Sequence, residues 1–147
     1  MELAIALPVL ALILVGTIDF GRVFRLANIV QNAARAGALF GAQNSTNAAD
    51  TTGMRTAGNN VLSANGLPTL NAVAPTRTCE CATDAGVYSS ALPTPLLCNA
   101  ATNCAVGSHL IMNVSVTATQ TFSMTAAFPG LPTSIVIART AKMRVLN

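Results

Sequence analysis

Charge is scarce in this sequence. Charged side chains make up 9% of its 147 residues, against about 25% in an average soluble protein. So few charges exclude the surface of an ordinary cytosolic enzyme, and an apolar share of 52% excludes a disordered chain. Eight basic and five acidic residues leave a net charge of +3. No Lys/Arg run forms and no aromatics interleave with the basic residues, which excludes nucleic acid as a partner. Tryptophan is absent and the single histidine is His109. No serine or cysteine nucleophile motif accompanies it, so His109 reads as a polar residue at a strand edge. The sequence holds no P-loop, no dinucleotide fingerprint and no metal-binding helix motif. Nothing in the spacing of Glu2, Asp19, Asp50, Glu80 and Asp84 requires two of them to converge on one cleft for acid–base work. No enzyme activity and no cofactor are expected.

Cysteine is absent from most of the chain. All four, Cys79, Cys81, Cys98 and Cys104, fall within 26 residues. An even, clustered set reads as two intramolecular disulfides in an oxidising compartment. Zinc wants two to four residues between the cysteines of each pair, and here the intervals are one and five. Three connectivities are open. A hairpin-like return of the chain favours nested bridges, Cys79 with Cys104 and Cys81 with Cys98, each adding about 3 kcal/mol by loop-closure entropy.

The N-terminus is where the apolar residues gather. "MELAIALPVLALILVGTIDFGRVF" has one carboxylate, Glu2, and then sixteen uncharged residues, 3–18. A membrane-spanning helix needs about 20 apolar residues, with a range of roughly 17–25, so residues 1–18 reach the low end with Glu2 at an interface. A removable signal peptide would carry a basic flank and a small-residue cleavage site, and neither is there. Arg22 and Arg25 follow the run, which by the positive-inside rule would put the rest of the chain in the cytoplasm. The cysteines place it outside. A basic leader, removed from in front of Met1, would reconcile the two.

The helical period runs on past Asp19. Phe20, Val23, Phe24, Ala27, Val30, Ala34 and Ala38 recur at steps of three and four, with Arg22, Arg25, Asn28, Asn32 and Arg35 opposite. Phe20, Phe24 and Phe40 read as packing residues. A helix over residues 2–41 would be about 60 Å long, too long for the remaining hundred residues to cover. Pro8 predicts a kink or loosened turn, and Gly37 and Gly41 allow close packing or termination at the far end.

The opening stretch, with the "LANIVQNAARAGALFGA" that follows, resembles the TadE-like pilin family of type IV filament systems. The points of likeness are the Glu-led apolar helix with its Pro, the Asp19-Phe20-Gly21-Arg22 step, and Asn32-Ala33-Ala34-Arg35-Ala36-Gly37. The likeness is close over about the first 42 residues and extends to the rest only as architecture. It implies a leader cut by a prepilin peptidase, membrane anchoring through the helix, and packing of many copies into a filament core. Glu2 directly after Met1 departs from the pattern, in which the glutamate stands a few residues further in. The assembly residues so implied are Met1, Glu2, Leu3, Ile5, Leu7, Pro8, Leu10, Leu12, Leu14 and Gly16.

Beyond the long helix, a shorter one is expected over residues 45–64, with Met54, Ala57, Val61 and Ala64 as its apolar stripe and Gly66 and Pro68 as its stop. The period then becomes two. Leu110, Met112, Val114, Val116, Ala118, Phe122, Met124 and Ala126 alternate with Ile111, Asn113, Ser115, Thr117, Thr119, Thr121, Ser123 and Thr125. This predicts a long half-buried strand, broken near Gln120. "FPGLPTS" turns the chain into a returning strand over residues 135–146, and residues 70–82 make a third strand interrupted at Pro75. Asn44 and Asn113 stand in N-glycosylation patterns.

The expected fold is α+β: a long protruding N-terminal helix, a second shorter helix, and an antiparallel sheet of three to four strands. Residues 1–42 form the membrane and filament-core helix, and residues 43–147 form the globular domain with its disulfide loop 79–104. The expected function is a structural subunit of an extracellular type IV-like pilus on the cell surface. It would be held in the inner membrane before assembly and would serve in adhesion as a helical homo-oligomer. A minor pilin, or a membrane-anchored binding module that primes or caps assembly, uses the same helix. Glu2 has two readings. It either pairs with the α-amino group of a neighbouring copy as a register device, since an unpaired buried carboxylate is expensive, or it only complements the helix dipole, worth about 0.3–1 kcal/mol.

Overall fold

A computed structural model of the chain describes residues 2–69, 72–83, 85–86, 88–89, 98, 104, 106–125 and 132–146. Helix α1 (Glu2–Ala42) runs for 41 residues, about 60 Å at 1.5 Å per residue. It continues through Pro8, where the ring supplies no N–H for the preceding turn. At its other end the Ala42 carbonyl accepts the Leu146 amide at 2.9 Å, so the C-terminal segment satisfies a carbonyl that the helix leaves open.

The expected second helix is two helices, α2 (Ser45–Ala49) and α3 (Thr51–Ala64). A short polar side chain starts each of them, and the second, Asp50, divides the two. Asn44 Oδ1 accepts the Asn47 amide at 2.7 Å, and Asp50 Oδ1 accepts the Gly53 amide at 2.8 Å. A side chain that bonds the backbone three residues ahead starts a helix rather than continuing one. The buried stripe of α3 also differs from the expected one. It is Met54, Gly58 and Leu62, while Ala57 and Val61 are half-buried and Ala64 is exposed. Gly58 decides this. A Cβ there would lie 3.0 Å from the Ala33 carbonyl oxygen and 3.1 Å from the Val73 side chain, so α3 lies close against α1 and β1 where it has no side chain.

The sheet is antiparallel throughout, in the order β2-β1-β3-β4, from β1 (Val73–Thr83), β2 (Tyr88–Ser89), β3 (Ser108–Ser123) and β4 (Ser134–Arg144). The α+β class read from the sequence is the one observed. The alternation also holds along most of β3, where Val114, Val116, Ala118 and Phe122 are buried. In β4, Ile137 and Ala141 are buried on the same face. This inner face packs against Val30, Ala33, Ala34 and Ala38 of α1 and against Met54 and Leu62 of α3.

Three expectations about the strands fail for local reasons. β3 is not broken at Gln120, because the side-chain amide donates to the Pro68 carbonyl at 2.5 Å and so occupies its buried slot with a partner. β1 is not interrupted at Pro75. The Thr119 amide bonds the Ala72 carbonyl at 2.7 Å, and alternation from that pair leaves Pro75 and Val116 as a non-hydrogen-bonded pair. The missing N–H of Pro75 therefore faces away from β3, and no ladder bond is lost. Ile111, expected to face outward, is buried. Its cross-strand neighbour is Glu80, and the Glu80 side chain crosses β3 to meet Lys142 at 3.6 Å, screening that part of the outer face. The rest of this face is polar, with Thr117 and Thr140 hydroxyls 2.8 Å apart. Ala126 and most of the "FPGLPTS" turn lie outside the described residues, as does the start of the expected third strand at residues 70–71.

Candidate functional site

No cleft gathers catalytic groups in this chain among the described residues, and no group of metal-ligating side chains forms there. The conspicuous feature is α1 itself. On the stalk, residues 6–18, every side chain is exposed except Val15, which is half-buried. Leu10 is 63% exposed, and Leu7, Val9, Leu12, Ile13, Leu14 and Ile18 are each more than half exposed. Successive helical residues turn by 100°, so these side chains point in every direction around the axis. The helix is long and apolar enough to cross a membrane.

Of the residues for which the sequence resemblance implies a part in assembly, Leu7, Leu10, Leu12 and Leu14 are exposed on this stalk and Pro8 lies within it. A Cβ on Gly16 or Gly21 would meet nothing within 4 Å among the described residues. Glu2, Leu3 and Ile5 belong to α1, while their side chains, and Met1 entirely, lie outside the described residues. Phe20 and Phe24, expected to pack, are 74% and 62% exposed. Phe40 is half-buried against the core. Phe20 and Phe24 are turned about the helix axis away from the face on which Leu26 is buried.

The stalk is rooted where the apolar run stops. Asp19 Oδ1 accepts the Thr125 hydroxyl at 2.7 Å, and the Thr125 amide donates to Oδ2 at 3.2 Å. Arg22 Nη1 donates to the same carboxylate at 3.0 Å and also to the Thr125 hydroxyl oxygen. The Arg22 guanidinium carbon stands 5.3 Å from the centre of the Phe122 ring, within cation–π range. Asp19 is outside the apolar stretch and its side chain is 13% exposed. Its carboxyl is held below the usual value near 3.8, first by the Thr125 hydroxyl, against an opposing effect of burial, with the Thr125 amide and Arg22 adding to the lowering. The Asp-Phe-Gly-Arg step thus fastens α1 to the end of β3. Thr125 and Phe122 belong to this root; the sequence places both in the alternation of the expected long strand but not against α1, because a contact across a hundred residues or more leaves no local pattern.

Above the root, α1 packs through small residues. A Cβ on Gly37 would lie 2.8 Å from the Met54 carbonyl oxygen and 3.0 Å from Val116, and one on Gly41 would be driven into the Met54 side chain. Gly37 and Gly41 serve close approach rather than termination. With Ala33, Ala34 and Ala38 they form a seam that lets α3 and β3 come close to the backbone of α1.

All four cysteines are bridged, but the nested pairing is wrong. Cys79 joins Cys98 and Cys81 joins Cys104, each with Cα atoms 5.5 Å apart. The register explains the exchange. Cys79 faces Met112 and Cys81 faces Leu110, so Cys81 is nearer the end at which the chain enters β3. Cys104, four residues before Ser108, meets Cys81 first and leaves Cys79 for Cys98. The loops interleave. His109 is exposed beside Ala82 at the start of β3. Asp84 lies outside the described residues. Asn44 is engaged as a helix cap, and Asn113 lies within β3 between Thr78 and Arg144.

The family model described as TadE-like protein matches residues 1–39. Comparison with curated proteins and with solved structures gives no match. The matched residues hold the apolar stalk, the Asp19–Arg22 root and the seam up to Ala38, and over them the chain is similar to the TadE-like family.

Proposed function

We propose that this chain is a structural subunit of an extracellular pilus that assembles through the apolar half of α1. Residues 1–42 would supply the filament-core and membrane helix, and residues 43–147 the body displayed on the filament. The observation that carries this reading is the stalk, apolar on all sides and uncovered along residues 6–14. Soluble monomers rarely leave contiguous apolar patches beyond a few hundred Å². Each large aliphatic side chain taken out of water contributes roughly 1.5–3 kcal/mol, so covering the seven named above favours lipid or neighbouring copies strongly. Gly16 and Gly21 support the same reading, since small residues with no close neighbour in the chain leave room for the backbone of another helix. The two bridges suit an oxidising, extracytoplasmic location. Before assembly the stalk would sit in the inner membrane, where a prepilin peptidase and the pilus assembly machinery act on such chains.

In the assembled bundle, Glu2 pairs with the α-amino group of a neighbouring copy and fixes the depth of packing. Imaging of purified material tests the first claim. Continuous fibres of this chain alone support it, and lone membrane-bound monomers sink it in favour of a minor, priming subunit. The register claim is tested with Glu2→Gln, expected to insert normally and assemble poorly, beside Leu10→Lys. The lysine should damage insertion as well, by about 2.5–3.5 kcal/mol on insertion scales. Normal fibre yield from Glu2→Gln would reduce Glu2 to a helix-end acid.

A further inference from the structure

At the root of the stalk is a cavity of about 260 Å³, lined among others by Arg22, Arg25, Leu26, Ile29, Leu67 and Phe122. Its two cations are not equivalent. Arg22 is held by Asp19, Thr125 and the Phe122 ring, whereas Arg25 has no hydrogen bond or ion pair among the described residues. The cavity thus sets one unneutralised guanidinium beside an apolar wall.

Its height along α1 is informative. Arg22 and Arg25 stand four and seven residues past Ile18, about 6 and 10 Å along the axis. The headgroup layer on each side of a bilayer is about 5–7 Å deep. Helical side chains slant toward the N-terminus, and arginine reaches back while keeping its head in water, so both guanidiniums fall at headgroup level when residues 3–18 lie in the hydrocarbon. Directly below Arg25, at steps of three and four, come Gly21, Ile18, Leu14, Ala11 and Leu7. All are exposed and apolar, a strip of the width of one acyl chain.

We propose that this cavity seats the phosphate of an anionic phospholipid, with Arg25 as its counter-ion and one acyl chain laid along the strip from Gly21 down to Leu7. The inference rests on the membrane-anchored reading above. It assigns the cavity a task before assembly, that of setting insertion depth at the outer face of the membrane. A headgroup there also neutralises the charge on Arg25, which the positive-inside rule would otherwise count against an outward orientation.

The test is native mass spectrometry of the full-length chain released from detergent micelles containing phosphatidylglycerol and phosphatidylcholine in equal amounts. We expect phosphatidylglycerol to be retained about fivefold over phosphatidylcholine, the ratio set by one basic residue near a membrane surface. Arg25→Gln should abolish the preference and Arg25→Lys should keep most of it, with near-UV circular dichroism unchanged in both. Arg55→Gln, at the other end of α3, should leave the preference intact. Equal retention of the two lipids, or a preference that survives Arg25→Gln, overturns the proposal. So does Arg25-dependent binding of inorganic phosphate, or Arg25-dependent dimerisation, without a lipid preference. If the chain fails to enter neutral vesicles at all, the membrane-anchored reading fails beneath it, a result the lipid ratio alone would not give.

Discussion

The two halves of α1 both present apolar side chains, and the fold treats them oppositely. The first carries the large side chains, Leu7, Leu10, Leu12, Ile13, Leu14 and Ile18, and leaves them exposed. The second is rich in alanine and glycine and is buried at Val30, Ala33, Ala34, Ala38 and Ala42. A hydropathy profile ranks the halves the wrong way round as core. What admits the second half is size. Small side chains let α3 and β3 approach the α1 backbone to contact distance, and dense packing follows from that approach. The first half would need a partner shaped to its leucines, and the described residues hold none.

The sharpest way to break this contrast is a matched pair of truncations. Met54, fully buried in the seam, should cost about 2–5 kcal/mol as Met54→Ala, read as a lowered melting temperature in detergent. Leu10→Ala should leave that melt unchanged while weakening assembly. Equal destabilisation by both would erase the distinction between body and stalk. Next in size is the body's covalent staple. Removing Cys81–Cys104 by Cys81→Ser with Cys104→Ser should cost about 3 kcal/mol in denaturant unfolding, and peptide mapping of that variant should still find Cys79 joined to Cys98. A smaller effect is expected from one methyl group at the seam. Gly37→Ala sets a Cβ against backbone and should cost about 1–3 kcal/mol, partly offset by about 1 kcal/mol of helix propensity. Gly16→Ala has only the propensity gain in the single chain, so its effect should appear as slower fibre growth.

The smallest effect belongs to the root that joins the halves. The Asp19 carboxyl is depressed in the folded chain, so its contribution is complete above the ordinary aspartate value. It is lost as pH falls from there through the lower folded value. Arg22 and Thr125 are the groups that face it. The protection of the Thr125 amide, its exchange measured against the intrinsic rate at each pH, should therefore fall below about pH 4. In Asp19→Asn that protection should be low already at neutral pH, with this step absent.

Much of this was legible in the residues because it is periodic. The span of α1, the inner face of β3 from Val114 to Phe122 and the return along β4 follow from steps of three to four or of two. What escaped was decided by single partners. Asp50 divides a helical pattern because its carboxylate caps the next turn, and Gln120 stays in the sheet because the Pro68 carbonyl meets its amide. The cysteine pairing turned on a register of two residues, which loop size cannot resolve. Of the candidate site, the apolar run and the Asp19–Arg22 pair were visible. Thr125 and Phe122, the other half of the root, were not, since their contact with α1 is made only by folding.

One helix serves both halves, and this has a mechanical consequence. α1 has no break between stalk and body, so tension along the stalk finds no hinge at which to yield. The pull passes first into the Asp19–Thr125 fastening and then along the Ala/Gly seam, which it loads in shear, with many contacts resisting together instead of parting one by one. At the far end the Ala42–Leu146 bond ties the helix to the segment after β4, so the load is shared with the sheet's own strand ladder. A fibre built on this plan would carry force through its subunits' backbones, with the displayed faces left largely unstressed.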